Sequence, residues 1–261
     1  MPRVIRMALE YDGTRYHGFG LQPGRLTVQA VVEAALAEVL GHAVRVTAAG
    51  RTDAGVHAGG QVLSFRTEAR LPAAVISRAL NAHLPEDVVA GPSEEAEPTF
   101  DARRCARRRH YRYSIWNAER PNVWLRHYSL HVAGRLDEEA MQRAAEALVG
   151  RHDFTSFIGH AAQEVRPRSP VRTIERADWR RDGDLLHFDC SADSFGRHMV
   201  RNMVGTLLRV GRSRSEIDCV RRVLEARDRC AAGPTAPSRG LTLMRVDYDE
   251  PDSNDDQECQ T

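Results

Sequence analysis

The 261-residue chain has no lysine, and all 37 of its basic residues are arginine. Arginine richness therefore reflects composition, and the position of each arginine has to carry the argument. No run of 18 apolar residues occurs, so no membrane-spanning helix is expected. The opening MPRVIRMALEYDG lacks an apolar core and a small-residue cleavage site, so a secretory signal is not expected either. The five cysteines (Cys105, Cys190, Cys219, Cys230 and Cys259) are odd in number, widely spaced and free of any C-x-x-C pair. That argues against a disulfide framework or a zinc knuckle and makes the cytoplasm the expected location. No G-K-[ST] is present to close a phosphate-binding loop, and no glycine-rich turn opens a helix as a dinucleotide fold requires.

What is present is ordinary for a globular protein: 42% hydrophobic and 28% charged residues, in a length that suits one large domain or two modest ones. The net charge of +1 is uneven. The last eleven residues, PDSNDDQECQT, hold four acids and no base, leaving 37 bases against 32 acids, or +5, in residues 1–250. The tail reads as disordered and the body as mildly basic, which permits a nucleic-acid partner without requiring one.

Hydrophobic periodicity gives βαββαβ for the first hundred residues: strands at 4–12, 43–49, 61–67 and from Val88, and helices at 27–41 and 72–82. In the second half, strands are expected at 109–116, 127–132, 171–180, 185–191 and 241–248. The last of these would place Thr242, Met244, Val246 and Tyr248 on one face. Helices are expected from Asp137, a capping residue, to Leu148, and over 198–210 and 216–228. The fold class is α+β: two α/β halves, residues 1–105 and 106–249, with mainly antiparallel sheets, followed by the acidic tail 250–261.

Three stretches hold residues capable of chemistry. The first, AGRTDAGVHAGGQ, runs from Ala49 to Gln61 and sets Arg51, Asp53 and His57 among Gly50, Gly55, Gly59 and Gly60. Small neighbours would let a planar group approach the Asp53 carboxylate, but an aspartate there also suits a plain turn. The second, FDARRCARRRHYRYSIW, holds six arginines between Arg103 and Arg112 and leads into a strand with Tyr111, Tyr113 and Ile115 on one face. It could bind phosphates and stack a base, or be a charged edge strand over an ordinary core. The third, SFGRHMVRNMVG, puts Arg201 on the flank of an apolar helix face, where it could reach a carboxylate such as Asp53 or lie on the surface. His57 and His198 lack a second ligand at helical spacing, so no metal site is expected. The longest unpatterned stretch, about 152–170, mixes Arg151, Arg166 and Arg168 with Phe154 and Phe157. That mixture suits RNA, or a solvated loop.

Together these pieces resemble one family. GRTDAGVH (Gly50 to His57), RHYRYSI and HMVRNMVG follow, in order, the motifs of the tRNA pseudouridine synthase A family. EYDG, NAHLP, FDAR, DFTSF, SPVRTI and GLTLMRVDY agree as well, so the likeness runs over roughly 3–249. The resemblance implies isomerisation of uridine to pseudouridine at positions 38 to 40 of the tRNA anticodon stem-loop. It implies no cofactor, no metal and a homodimer of two-halved protomers with a basic cleft. By motif position Asp53 matches the catalytic aspartate, Arg51 the arginine that assists base flipping and Tyr111 the tyrosine that stacks on the target base. Arg201 matches the partner of the aspartate, and Arg103 and Arg168 match tRNA contacts. One departure is HGFGLQPG, with Phe19 where the family commonly has tryptophan, which bears on tRNA contact. The competing readings are a catalytically silent tRNA-binding protein or RNA chaperone, and a synthase with other target positions. Asp53 speaks against the first, because pure binding does not need it and phosphates would repel it.

Overall fold

A computed structural model describes residues 2–159, 169–212 and 218–249. The first half runs β1 (Arg3–Tyr11), α1 (Val28–Leu40), β2 (Thr47–Ala48), β3 (His57–Thr67), α2 (Ala73–Leu80) and β4 (Val88–Ala96), the βαββαβ order that the periodicity gives. The second runs β5 (Arg108–Trp116), β6 (Leu130–His131), α3 (Glu138–Glu146), β7 (Gly150–Asp153), β8 (Val171–Asp182), β9 (Leu185–Ala192), α4 (Met199–Arg212), α5 (Cys219–Ala226) and β10 (Leu241–Asp247).

Local chemistry sets the helix ends. The Thr27 side chain accepts from Ala30 N at the start of α1, and Gly41, at φ 73°, closes it in the left-handed conformation that suits glycine. The Asp137 carboxylate accepts from Ala140 N at 3.0 Å and starts α3. In α4 the expected face is buried: Val200, Met203, Val204 and Leu207 are at most 3% exposed.

All ten strands join one mixed sheet in the order β4-β1-β3-β10-β5-β9-β8-β7, with β2 beside β3 and β6 beside β5. Pairing is antiparallel except for β10 with β3 and β5 with β6. The final strand is the seam between the halves: Thr242 lies opposite His57 on one side and Arg112 on the other, and Leu243 opposite Ala58 and Tyr111. Helices α1 and α2 pack together, with α2 along β4; α3 and α4 pack together, with α3 on β8 and α4 on β5. Among the described residues no helix is long and apolar enough to cross a membrane.

Several sequence expectations need correction. β3 begins at His57, so Gly59 and Gly60 belong to a strand and not to a loop around Asp53. A β-carbon on Gly60 would lie 2.2 Å from the Met244 carbonyl oxygen, so this glycine lets β3 approach β10. β10 carries a register shift between Leu243 and Arg245, which buries Leu241, Leu243 and Val246 and leaves Met244 exposed. Of the stretch 152–170, Phe154 and Phe157 are wholly buried core residues, and Asp153 lies in β7. Phe19 is 1% exposed and packs against Tyr11, so it serves the core and presents no surface to RNA. Arg166, Arg168 and the acidic tail lie outside the described residues.

Candidate active site

The loop before β3 is pinned at almost every step. Gln61 donates to the Gly50 carbonyl at 2.8 Å, and the Thr52 hydroxyl meets the Tyr11 hydroxyl at 2.8 Å. Phe19 N donates to Thr52 O, Gly55 N to Tyr16 O and Val56 N to Asp53 O. Gly55, at φ 75°, makes the turn that sends the chain back into β3. His57 ends the loop with one ring nitrogen 3.0 Å from Asp12 and the other 2.9 Å from the His127 carbonyl oxygen. Burial drives the Tyr11 phenol up to about 12, against the lowering hydrogen bonds of Thr52 and Gln61, so it stays neutral beneath the loop. Rigid mounting of this kind is what a reacting group needs.

Asp53 stands at the turn of this loop with its side chain 30% exposed. Two groups from the start of α4 face its Oδ2: an Arg201 terminal nitrogen at 3.4 Å and His198 Nε2 at 3.6 Å. The Arg201 guanidinium is itself fixed, because its Nε donates to the Ala236 carbonyl at 2.7 Å. The sequence-based pairing of Asp53 with Arg201, across 148 positions, is thus present in space.

Tyr111 projects from β5 on the same side, 8% exposed, with its ring edge-on to Phe195 at 5.1 Å between centroids. Burial raises its phenol pKa, and nearby Tyr11 and Asp53 add to the rise, so it remains protonated. Arg51 is exposed and lies along Gly20, where a β-carbon would come within 3.3 Å of its Cδ and Nε.

The arginine run proves mostly committed elsewhere. Arg107 pairs with Asp249, Arg108 with Glu175 and Asp247, and Arg112 with Asp189 at 2.7 Å. Arg103 keeps its side chain at the surface. Arg109 is 9% exposed and has no acid among its hydrogen-bond partners: it donates to the carbonyls of Ala49, Arg103, Ala106 and Asp193. One side chain thus ties the Asp53 loop, the 103–106 segment and the turn before α4 into one frame. Burial pulls its pKa below the ordinary arginine value. The expectation of a phosphate-binding run along 103–112 therefore narrows to the exposed residues at its start.

Sequence reasoning gave no site role to Arg109, Phe195 or His198, and weighed His198 only as a metal ligand. The last two lie in the quoted string SFGRHMVRNMVG, six and three positions before Arg201, and that was the available signal. No group of three His, Cys, Asp or Glu side chains among the described residues is arranged to hold a metal ion.

Comparison with known proteins bears on this geometry. A family model described as tRNA pseudouridine synthase matches residues 7–104 and 144–249. The chain is 47% identical over 250 residues to the tRNA pseudouridine synthase A of Moorella thermoacetica, covering 94% of this chain and 99% of that one. It is 46% identical to the protein of the same name from a Geobacillus species, with 95% and 100% covered. A Methylobacterium protein, also named tRNA pseudouridine synthase A, is 46% identical over 252 residues, with 96% and 99% covered. These matches run over nearly the whole chain, and the chain belongs to the tRNA pseudouridine synthase family.

Proposed function

We propose that the protein isomerises uridine to pseudouridine at positions 38 to 40 of the tRNA anticodon stem-loop, with Asp53 as nucleophile or base. The observation that carries this reading is the Asp53 carboxylate itself: held on a pinned loop, partly open, and faced by Arg201 at 3.4 Å. The reaction breaks the N1–C1′ bond, turns the uracil and joins C1′ to C5. A stacked, paired base cannot turn, so it is first flipped out at a cost of about a few kcal/mol. Arg51, exposed two residues before Asp53, fills the vacated space or holds the flipped backbone. Tyr111 stacks on the uracil, and Phe195 turns aside to admit it; base–aromatic stacking returns about 1–3 kcal/mol.

Attack on C1′, attack on C6 and deprotonation of the ribose all require an ionised carboxylate. Arg201 faces the carboxylate with its positive charge at 3.4 Å. Arg103 and Arg168 contact the tRNA backbone, and the protein works in the cytoplasm as a homodimer without a cofactor. The test is tritium release from a tRNA transcript labelled at C5 of uridine, because joining the sugar to C5 expels that hydrogen. Release at 38 to 40, mapped by uridine substitution, is expected from the purified protein. A folded protein that binds tRNA and releases nothing would be a silent binder instead.

A further inference from the structure

Two non-glycine residues among those described have positive φ: Arg227 at 48° and His198 at 58°. Arg227 closes α5, where a left-handed residue is common. His198 stands one residue before α4, and its carbonyl accepts from Asn202 N at 2.9 Å. Residues at that position are normally extended. A backbone held in a rarely populated region points to a demand on its side chain.

The ring is held from behind. Gly159 N donates to the Arg197 carbonyl at 2.8 Å, and a β-carbon on Gly159 would press to 3.0 Å from His198 Nδ1. On the other side, Nε2 faces Asp53 Oδ2 at 3.6 Å, too long for a hydrogen bond. The Asp53 carboxylate and the His198 imidazole thus stand side by side with no hydrogen bond between them. The charged groups around the imidazole are Asp53 from the loop, Arg201 from α4, Arg197 from the preceding turn and Arg229 from the segment after α5. Burial holds the ring below its ordinary 6.5; Asp53 opposes this, and the three arginines add to it. The imidazole is therefore a free base at neutral pH.

The isomerisation leaves a proton to be moved. Once C1′ is joined to C5, that carbon still carries its hydrogen. The C5–C6 double bond returns when the hydrogen leaves as a proton and its electron pair stays in the ring, while N1 gains a proton, so the overall count is unchanged. Asp53 has already been engaged in breaking the N1–C1′ bond. Resting on the function proposed above, we propose that His198 is a second catalytic residue, whose Nε2 takes the proton from C5.

The test is His198→Asn, because asparagine tolerates the left-handed backbone and so preserves any purely structural role. Single-turnover pseudouridine formation is followed with ordinary and with C5-deuterated uridine in the tRNA, across pH, beside tRNA binding and melting. The variant is expected to fold and to bind tRNA as the wild type does, yet to form pseudouridine about 100-fold more slowly. Its C5 hydrogen isotope effect should exceed that of the wild type. Its rate profile should lose the acid limb that imidazole protonation gives the wild type below 6.5. A variant as fast as the wild type overturns the proposal. So does a slow variant whose isotope effect and acid limb are unchanged, since His198 would then only position Asp53. A wild type that makes no pseudouridine at all would remove the reaction itself, a different failure and one read directly from the control.

Discussion

Asp53 and Asp247 are each flanked by a histidine and by arginine, and their side chains are almost equally exposed, at 30% and 26%. The difference lies in the spacing. Asp247 is gripped by His110 at 2.7 Å and by Arg245 at 2.8 Å, with Arg108 at 3.5 Å. Burial would raise its pKa, but the hydrogen bond and charge of His110 and the Arg245 charge outweigh that and hold it below the ordinary 3.8. Asp53 has its two partners at 3.4 and 3.6 Å. His110 projects from β5 opposite to the buried row of Tyr111, Tyr113 and Ile115, so the two clusters belong to opposite faces of the sheet. A saturated carboxylate holds the fold together. One whose partners stand off retains lone pairs for a substrate, and its arginine and histidine remain available to the reaction. The kinds of residue in a cluster do not distinguish the two cases, but the distances do.

The strongest perturbation should come from Arg109, the frame that keeps Asp53 and α4 in place. Arg109→Ala leaves four buried or half-buried carbonyls without their donor and should cost about 3 kcal/mol, read by urea unfolding. Arg109→Lys should recover only part, since an ammonium lacks the planar fork that reaches three segments at once. Full stability of the lysine variant would show that a point charge suffices. Next is Arg201→Ala, expected to slow single-turnover pseudouridine formation about 100-fold while leaving tRNA affinity nearly unchanged. Equal losses in rate and affinity would make Arg201 an RNA contact and dissolve its pairing with Asp53. The smallest effect belongs to Asp247→Asn, about 1 kcal/mol of stability by thermal unfolding and none of the rate. Because the folded pKa of Asp247 is depressed, its contribution is present above the ordinary 3.8 and fades as pH falls through the lower folded value. The deficit of the variant should therefore be full at neutral pH and shrink in acid; a deficit that persists there would mean that packing, and not charge, is lost.

Much of the frame was legible in local sequence. Asp137 caps a helix, and the alternation through Tyr111, Tyr113 and Ile115 sets the faces of β5, because each is decided by neighbours within a few positions. Asp53 and Arg201 were legible through motif resemblance and stand together in space. What escaped depends on distant partners. Arg107, Arg108 and Arg112 are neutralised by Glu175, Asp189, Asp247 and Asp249, acids far along the chain that no local pattern links to them. Arg109 is satisfied by carbonyls, which every residue carries and no sequence reveals. Gly60 reads as loop glycine, yet its role is set by the Met244 backbone in a strand added last, and the face of that strand changes at a bulge that alternation does not anticipate.

In the proposed function, slack around Asp53, and not the mere presence of an acid with basic neighbours, distinguishes the reacting carboxylate. This distinction is tested most directly by tritium release from C5-labelled tRNA, with Asp53→Asn and Asp247→Asn side by side in single turnover. The first variant is expected to keep its melting temperature and tRNA binding but to release about 1000-fold more slowly or not at all, while the second melts earlier and releases at the wild-type rate. Release that survives in a folded Asp53→Asn, or that is lost in a folded Asp247→Asn, would contradict it.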